Sequence, residues 1–200
     1  QQSVDVAPFS IICVAVSGGI RDGISDELRS KLKDSVVVSG DASRAVGING
    51  EIFYVDCYDS NTKTFEKDGQ LYMPIRALLT NDNILLTYNS EEERVHTIRY
   101  DIDGESYDSS FCIGGKELML DRHEKFPEGG GGVVYEGGKQ VTLKSDIISV
   151  NGNTYLPLDA IALITQRNVN KFSNGIYVLS KSDIVLTDEE IKILRDALVK

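Results

Sequence analysis

Histidine, cysteine and tryptophan are scarce in this 200-residue chain, which contains 2 His, 3 Cys and no Trp. Two histidines cannot supply a three-imidazole zinc or copper centre within one chain. Three cysteines without CxxC spacing allow at most one intramolecular disulfide, and we expect Cys13, Cys57 and Cys112 to be buried as small apolar side chains. Aromatic contacts have to come from the 9 Tyr and 6 Phe.

Positive charge is also scarce, because 21 Lys+Arg stand against 31 Asp+Glu and give a formal net charge of -10. Binding to nucleic-acid phosphates needs clustered lysine and arginine, so we expect no nucleic-acid partner. The same balance argues against docking on an anionic membrane. No apolar run reaches the roughly 18–20 residues of a membrane span, so we expect no membrane insertion. The 41% hydrophobic content is that of a folded chain.

Residues 1–45 are predicted to form a strand–helix–strand segment. Residues 9–16 are almost continuously apolar and predict a buried strand. Ser25 is the expected N-cap of a short helix that ends near Lys33, and residues 35–38 predict a second strand. A helical crossover of this length permits parallel pairing of the two strands.

From about residue 46, turn signals alternate with short apolar segments, which predicts antiparallel hairpins. The expected hairpin turns are Asn49-Gly50, Asp103-Gly104, Gly114-Gly115 and Gly137-Gly138. The acidic run Glu91-Glu92-Glu93 predicts a charged hairpin tip. Four consecutive glycines at 129–132 predict an exposed loop or internal linker.

Residues 184–200 are predicted to form a C-terminal helix that packs on the domain. Thr187 and Glu190 have the spacing of a capping box, and Ile191, Leu194 and Leu198 recur at helical intervals.

A short motif occurs twice, in residues 68–79 and 151–162, at a constant offset of 83 positions. Each copy has a turn glycine, a Tyr-apolar-Pro triplet and a segment of helical periodicity. Proline fixes φ and lacks an amide donor, so it suits the start of a helix. The residues identical in both copies are Gly69 and Gly152, Tyr72 and Tyr155, Pro74 and Pro157, and Ala77 and Ala160.

This pattern resembles the copper amine oxidase-like N-terminal domain, or stalk domain, which occurs as repeats in exported Gram-positive proteins. The resemblance covers about residues 46–183 in two half-copies, about 46–127 and 133–183. It implies mixed α and β structure, and residues 1–45 and 184–200 lie outside it. With these flanks we expect an α+β fold: a β-rich repeat unit with a short helix after each Tyr-apolar-Pro motif, preceded by the strand–helix–strand segment and closed by the C-terminal helix. Asp82-Asn83 departs from the glycine-containing turn that the family often has after the first helix.

The resemblance does not carry copper chemistry with it. In the oxidase, the metal and the tyrosine-derived quinone lie in a different and larger catalytic domain. We therefore expect no cofactor and no enzymatic activity. The expected function is that of an extracellular or cell-surface binding or spacer module, with a signal peptide removed before Gln1. Its partner would be a cell-wall glycan or an envelope protein.

Tyr72 and Tyr155 are the candidate ligand contacts, because a doubled aromatic would present two similar shallow sites. Arg76 and Asp159 follow them at equivalent positions and are further candidates; many family members, like the first copy, have arginine there. The alternative for the tyrosines is a repeated core aromatic with its hydroxyl at the rim.

Two other functions stay open. One is a small metal-assisted hydrolase that uses His123, His96 and nearby carboxylates, and it needs both histidines in one cleft. Against it, His123 lies in a polar segment typical of a solvated loop, and His96 alternates within a strand without an acidic neighbour on its face. The other is a structural assembly protein that docks on a partner through its C-terminal helix.

Overall fold

A computed structural model describes residues 23–100, 106–123 and 135–199. Within these ranges the chain forms three antiparallel sheets and four α-helices, so the predicted β-rich α+β fold with short helices is confirmed. The strands are β1 (Val36–Ser39), β2 (Arg44–Val46), β3 (Ile52–Tyr54), β4 (Phe65–Lys67), β5 (Gln70–Pro74), β6 (Ile84–Asn89), β7 (Arg94–Tyr100), β8 (Ser106–Phe111), β9 (Glu117–His123), β10 (Tyr135–Thr142), β11 (Ile148–Val150), β12 (Asn153–Pro157), β13 (Asn168–Lys171) and β14 (Ile176–Ser180). The helices are α1 (Asp26–Lys31), α2 (Ile75–Asn81), α3 (Leu158–Thr165) and α4 (Asp188–Val199).

The two copies of the motif pair directly with each other. Strands β5 and β12 run antiparallel, with Met73 opposite Leu156, Tyr72 opposite Pro157 and Tyr155 opposite Pro74. Each strand leads at once into its helix, α2 or α3. The chain is thereby related to itself by a pseudo-two-fold axis that passes between Met73 and Leu156.

Each motif strand is preceded by a two-residue hairpin turn. In Asp68-Gly69 the φ angles are 51° and 75°, and in Asn151-Gly152 they are 51° and 82°. Positive φ at both positions defines a type I′ turn, whose twist matches that of antiparallel strands. The hairpins β4–β5 and β11–β12 meet through β5 and β12 to form a four-stranded sheet.

The repeat is larger than the sequence motif. We call β1–β7 with α2 the first half and β8–β14 with α3 the second half; each consists of three strands, a hairpin, a helix and two more strands. One five-stranded sheet has the order β13-β14-β1-β2-β3, and the other has the order β6-β7-β8-β9-β10. Each sheet therefore takes three strands from one half and two from the other, so the halves are interleaved.

Matching backbone hydrogen bonds support this equivalence. The amide of Asp41 donates to Thr64 O at 3.1 Å, and the amide of Gly114 donates to Ile147 O at 2.6 Å. Thr64 and Ile147 are separated by the motif offset of 83 positions, and Asp41 and Gly114 both have positive φ. The repeat thus begins at β1, inside the segment 1–45 that the sequence motif does not reach.

The ends of α2 and α3 are tied together by a buried ion pair. Asp82 accepts two hydrogen bonds from the guanidinium of Arg167, one of them at 2.8 Å, and both residues are buried. A left-handed residue adjoins the ion pair in both halves: Asn83, directly after Asp82, has φ of 55°, and Gln166, directly before Arg167, has φ of 53°. Asparagine tolerates this cap conformation, which accounts for the absence of glycine there.

Helices α1 and α4 cover one face of the sheet that contains β1. Ser25 accepts a hydrogen bond from the Leu28 amide at 3.2 Å, which confirms the predicted N-cap. In α4 the amide of Thr187 donates to Glu190 at 2.7 Å and the amide of Glu190 donates to Thr187 Oγ1 at 3.2 Å, which confirms the capping box. Lys31 pairs with Glu190 at 2.8 Å and links the two helices.

Three expectations about strand pairing, turns and cysteine burial are wrong. Strand β1 pairs antiparallel with β14 and with β2 on its two sides, so it has no edge for the predicted parallel neighbour. Gly137-Gly138 lies within β10 at a β-bulge and makes no hairpin turn. Cys57 is exposed because it lies in the loop after β3.

Four predicted features fall outside the described residues: the strand at 9–16, Cys13, the Asp103-Gly104 turn and the glycine run at 129–132.

The apolar face of α4 packs against the core of its own chain. Ile191, Leu194 and Leu198 are buried against a cluster that includes Val37 and Val178 of the sheet below. Deleting residues 187–200 would therefore expose part of the core, in addition to removing any docking surface.

Replacing Leu194 by alanine tests the importance of this packing. Leu194 is fully buried, so Leu194→Ala is expected to lower the free energy of unfolding by about 2–5 kcal/mol in a urea titration. Val185→Ala is the control, because Val185 is 77% exposed and its truncation should change stability little. Equal stability of both variants would show that α4 does not contribute to the core.

Candidate functional site

The two motif tyrosines lie in the core. Tyr72 is 2% exposed and Tyr155 is 4% exposed. Both rings pack on Phe65: the Tyr72 ring is stacked on it at 5.4 Å between centroids, and the Tyr155 ring is tilted against it at 5.1 Å. Only the hydroxyl edges of the rings are near the surface, which favours the alternative of a repeated core aromatic.

The two hydroxyl groups make reciprocal hydrogen bonds between the halves. Tyr72 donates to the carbonyl of Asp146 at 2.9 Å, and Tyr155 donates to the carbonyl of Lys63 at 3.2 Å. Lys63 and Asp146 are themselves separated by 83 positions, so the two bonds are equivalent about the pseudo-two-fold axis. Burial raises the pKa of both phenols above the ordinary value of about 10, so both are protonated donors at neutral pH.

Arg76 and Asp159 lie on opposite sides of the axis. Asp159 follows Pro157, which is paired with Tyr72, whereas Arg76 follows Pro74, which is paired with Tyr155. Asp159 is half-buried and accepts hydrogen bonds from the amides of Ala160 at 2.9 Å and Lys144 at 3.5 Å. Arg76 is exposed in the first turn of α2. The four candidates therefore belong to two separate places.

A polar groove of about 260 Å³ lies beside the hydroxyl edge of Tyr72. Its lining is charged or hydrogen-bonding and comes from the β4–β5 hairpin and the loops before β9 and β11. The lining residues are Lys67, Asp68, Gln70, Tyr72, Lys116, Lys144, Ser145 and Asp146.

The two halves have loops of different length beside these tyrosines. On the Tyr155 side, residues 55–64 connect β3 to β4, and Asp56 in this loop is buried. On the Tyr72 side, the shorter segment 143–147 connects β10 to β11 and leaves the groove.

The longer loop is fastened by the carboxylate of Asp56. This buried group accepts hydrogen bonds from Thr62 Oγ1 and Asn153 Nδ2, both at 3.0 Å, and from the amide of Tyr58 at 2.9 Å. Burial by itself raises the pKa of Asp56, but these hydrogen bonds, together with one from the backbone of Asp59, outweigh burial and hold the pKa below its ordinary value. The site on the Tyr155 side is thus occupied by an internal carboxylate.

Charge in the groove is mixed, with a local excess of lysine in an otherwise acidic chain. Lys67, Lys116 and Lys144 face Asp68 and Asp146. The ammonium of Lys116 is 4.0 Å from Asp146 Oδ1, and both side chains are about half exposed, so their pairing leaves the lysine accessible to a ligand.

The two histidines occupy different strands and different levels of one sheet. His96 of β7 is opposite Ser110, which is opposite Met119, and His123 lies four residues beyond Met119 at the end of β9. Their backbones are therefore about 14 Å apart along the strands and about 10 Å apart across them. His123 belongs to a strand, contrary to the expected loop, and His96 has an acidic neighbour after all, because its Nε2 is 3.0 Å from Glu92 Oε2.

Among the residues that the structure describes, no group of three or more His, Cys, Asp or Glu side chains is arranged to hold a metal ion. Cys112 is half-buried, and its sulfur is 3.4 Å from the guanidinium of Arg94.

Removing one tyrosine hydroxyl at a time tests the reciprocal bonds. Tyr72→Phe and Tyr155→Phe each keep the ring but leave a carbonyl without its donor, so each should lower the free energy of unfolding by about 0.5–1.5 kcal/mol. Tyr88→Phe is the control, because Tyr88 is 59% exposed. A loss confined to one of the two variants would contradict their structural equivalence.

The carboxylate of Asp56 gives a second test, by pH. A lowered pKa stabilises the folded state above the unfolded-state value of about 3.9, and this stabilisation is lost as the pH falls through the folded-state pKa. Asp56→Asn should therefore be less stable at pH 7 by about 1–3 kcal/mol, with a difference from the parent protein that shrinks below about pH 3.9. Asp183→Asn, at an exposed position, should show no such convergence in the same melting series.

Comparisons of the chain with protein-family models, with curated proteins and with solved structures found no match. Its relation to the stalk-domain family therefore stays a prediction from the repeated motif. No helix within the described part of the chain has the length and apolar character needed to cross a membrane.

Proposed function

We propose that this chain is a non-catalytic binding or spacer module of the stalk-domain type, located at the cell surface, which contacts a cell-wall glycan or an envelope protein. The observation that carries the proposal is the structural use of the doubled motif. The Asp-Gly and Asn-Gly turns begin each motif strand, the tyrosines join the halves, and the prolines stand where the helices begin.

A motif that is used in this way stabilises a scaffold. A scaffold suits a module that presents a surface or holds neighbouring parts of a protein apart. The interleaving of the halves strengthens the argument. Because each of the three sheets contains strands from both halves, separating the halves would break all three.

The polar groove beside Tyr72 is the contact site in this proposal. Sites for small apolar molecules are usually enclosed, mostly apolar and about 300–1,000 Å³ in volume. This groove is smaller, at about 260 Å³, and has a charged lining. It suits one polar unit of a longer glycan or peptide chain, whose other units would lie across the neighbouring surface.

Retention on isolated cell-wall material tests the site. The triple variant Lys67→Ala/Lys116→Ala/Lys144→Ala should bind peptidoglycan sacculi or envelope extracts about tenfold less tightly than the parent protein, since each exposed ionic contact is worth roughly 0.2–1 kcal/mol. The matched control is Lys33→Ala/Lys181→Ala/Lys192→Ala, which removes three exposed lysines that do not line the groove.

Equal retention of the two triple variants would contradict the groove as the contact site. Recovery of the natural protein from the cytosol on cell fractionation would contradict the cell-surface location and, with it, the proposed class of partner.

A further inference from the structure

We propose that the groove beside Tyr72 binds a carboxylate of the ligand, in the position that the side chain of Asp56 occupies on the other side of the pseudo-two-fold axis. The inference deepens the proposed function and rests on it, because it names the chemical group that the same groove recognises. Its basis is that the molecule contains two related sites, of which one is filled from within.

The filled site shows which groups hold a carboxylate in this scaffold. Asp56 is gripped by a hydroxyl, an amide group and a backbone N–H, from Thr62, Asn153 and Tyr58. Tyr155 borders the site, and its hydroxyl is fixed by the carbonyl of Lys63. A carboxylate with donors from neutral groups on several sides is well stabilised when it is buried.

The open groove repeats the side-chain donors at equivalent positions. An offset of 83 positions relates Thr62 to Ser145 and Asn153 to Gln70, just as it relates Tyr155 to Tyr72. Ser145, Gln70 and Tyr72 all line the groove. Hydroxyl is thus replaced by hydroxyl and carboxamide by carboxamide, so the groove has the same kinds of donor as the filled site.

The carboxylate of Asp56 in the filled site is replaced by the ammonium group of Lys144 at the open groove. The amide of Val55 donates to Ser43 O at 3.0 Å, and the amide of Leu143 donates to Lys116 O at 2.8 Å, so these two bonds occupy equivalent places. Lys144 follows Leu143 as Asp56 follows Val55. An internal carboxylate is therefore exchanged for an ammonium group at the edge of the groove, which favours an incoming carboxylate.

The remaining charges narrow the class of ligand. Asp68 and Asp146 also line the groove and repel a densely anionic polymer. A single carboxylate with uncharged or cationic neighbours avoids this repulsion. Two sources carry such a group: the free C-terminus of a peptide, and an acidic sugar within a glycan.

A titration followed by ¹⁵N–¹H NMR tests the proposal with small probes. N-acetyl-glycylglycine and glucuronic acid each carry one carboxylate; the dipeptide amide and glucose are their neutral counterparts. We expect saturable shifts of the Gln70 and Ser145 amide signals with at least one acid, and at least tenfold weaker effects from its neutral counterpart. The acid that binds more tightly identifies the source of the carboxylate, either a peptide C-terminus or an acidic sugar. Equal effects of acid and neutral probe, or shifts centred elsewhere, would overturn the proposal.

Charge reversal provides the matched variants. Lys144→Asp places a carboxylate where Asp56 stands in the other half, and it should weaken binding of the acid at least tenfold. Lys33→Asp makes the same change of charge at an exposed position after α1 that does not line the groove, and it should leave the affinity within twofold. Circular dichroism and thermal melting establish that both variants are folded, and equal affinities of two folded variants would count against the groove.

The two proposals fail in different ways. If the groove lysines are needed for retention on envelope material but neither acid binds, the carboxylate inference is wrong and the contact site stands. If the acids bind in the groove but envelope material is not retained, the ligand chemistry stands and the proposed partner is wrong.

Discussion

The antiparallel pairing of β5 with β12 is the contact on which the rest of the structure depends. It places each Tyr-apolar-Pro triplet against the other, so the hydroxyl of each tyrosine reaches a carbonyl in the opposite half. Because the helices α2 and α3 start directly after these strands, the same pairing also sets where the following hairpins go. Each hairpin joins the sheet begun by the other half, and the two halves become inseparable.

Local features of this fold were accessible from the sequence, because neighbouring residues determine them. The N-cap at Ser25 and the capping box of Thr187 and Glu190 depend on side chains within one helical turn, and both are confirmed. The exchange of strands was not accessible, because it pairs β1 with β14 across most of the chain. Gly137-Gly138 shows the same limit at short range: two glycines favour a turn, but the partner strand turns them into a bulge.

The candidate site was only partly predictable for a related reason. Tyr72 and Tyr155 were candidates because they belong to the repeated motif. The repeated residues are those that both halves use to build the fold. The groove lies where the halves differ, at the short loop 143–147 that stands in place of 55–64. The sequence does contain this difference in loop length. It can be recognised only once the structure shows that β4 and β11 are equivalent strands.

The difference between the two halves is the basis of the proposed binding site. A duplicated unit begins with two equivalent places, and both need their polar groups satisfied when they are buried. Here one place is satisfied internally by Asp56, which fastens a loop and adds stability. The other keeps Gln70 and Ser145 at a solvent-accessible groove and carries Lys144 at the position of the acid. In the proposed function, stability and recognition therefore belong to different copies of one arrangement, so a change in the groove need not weaken the loop that Asp56 holds.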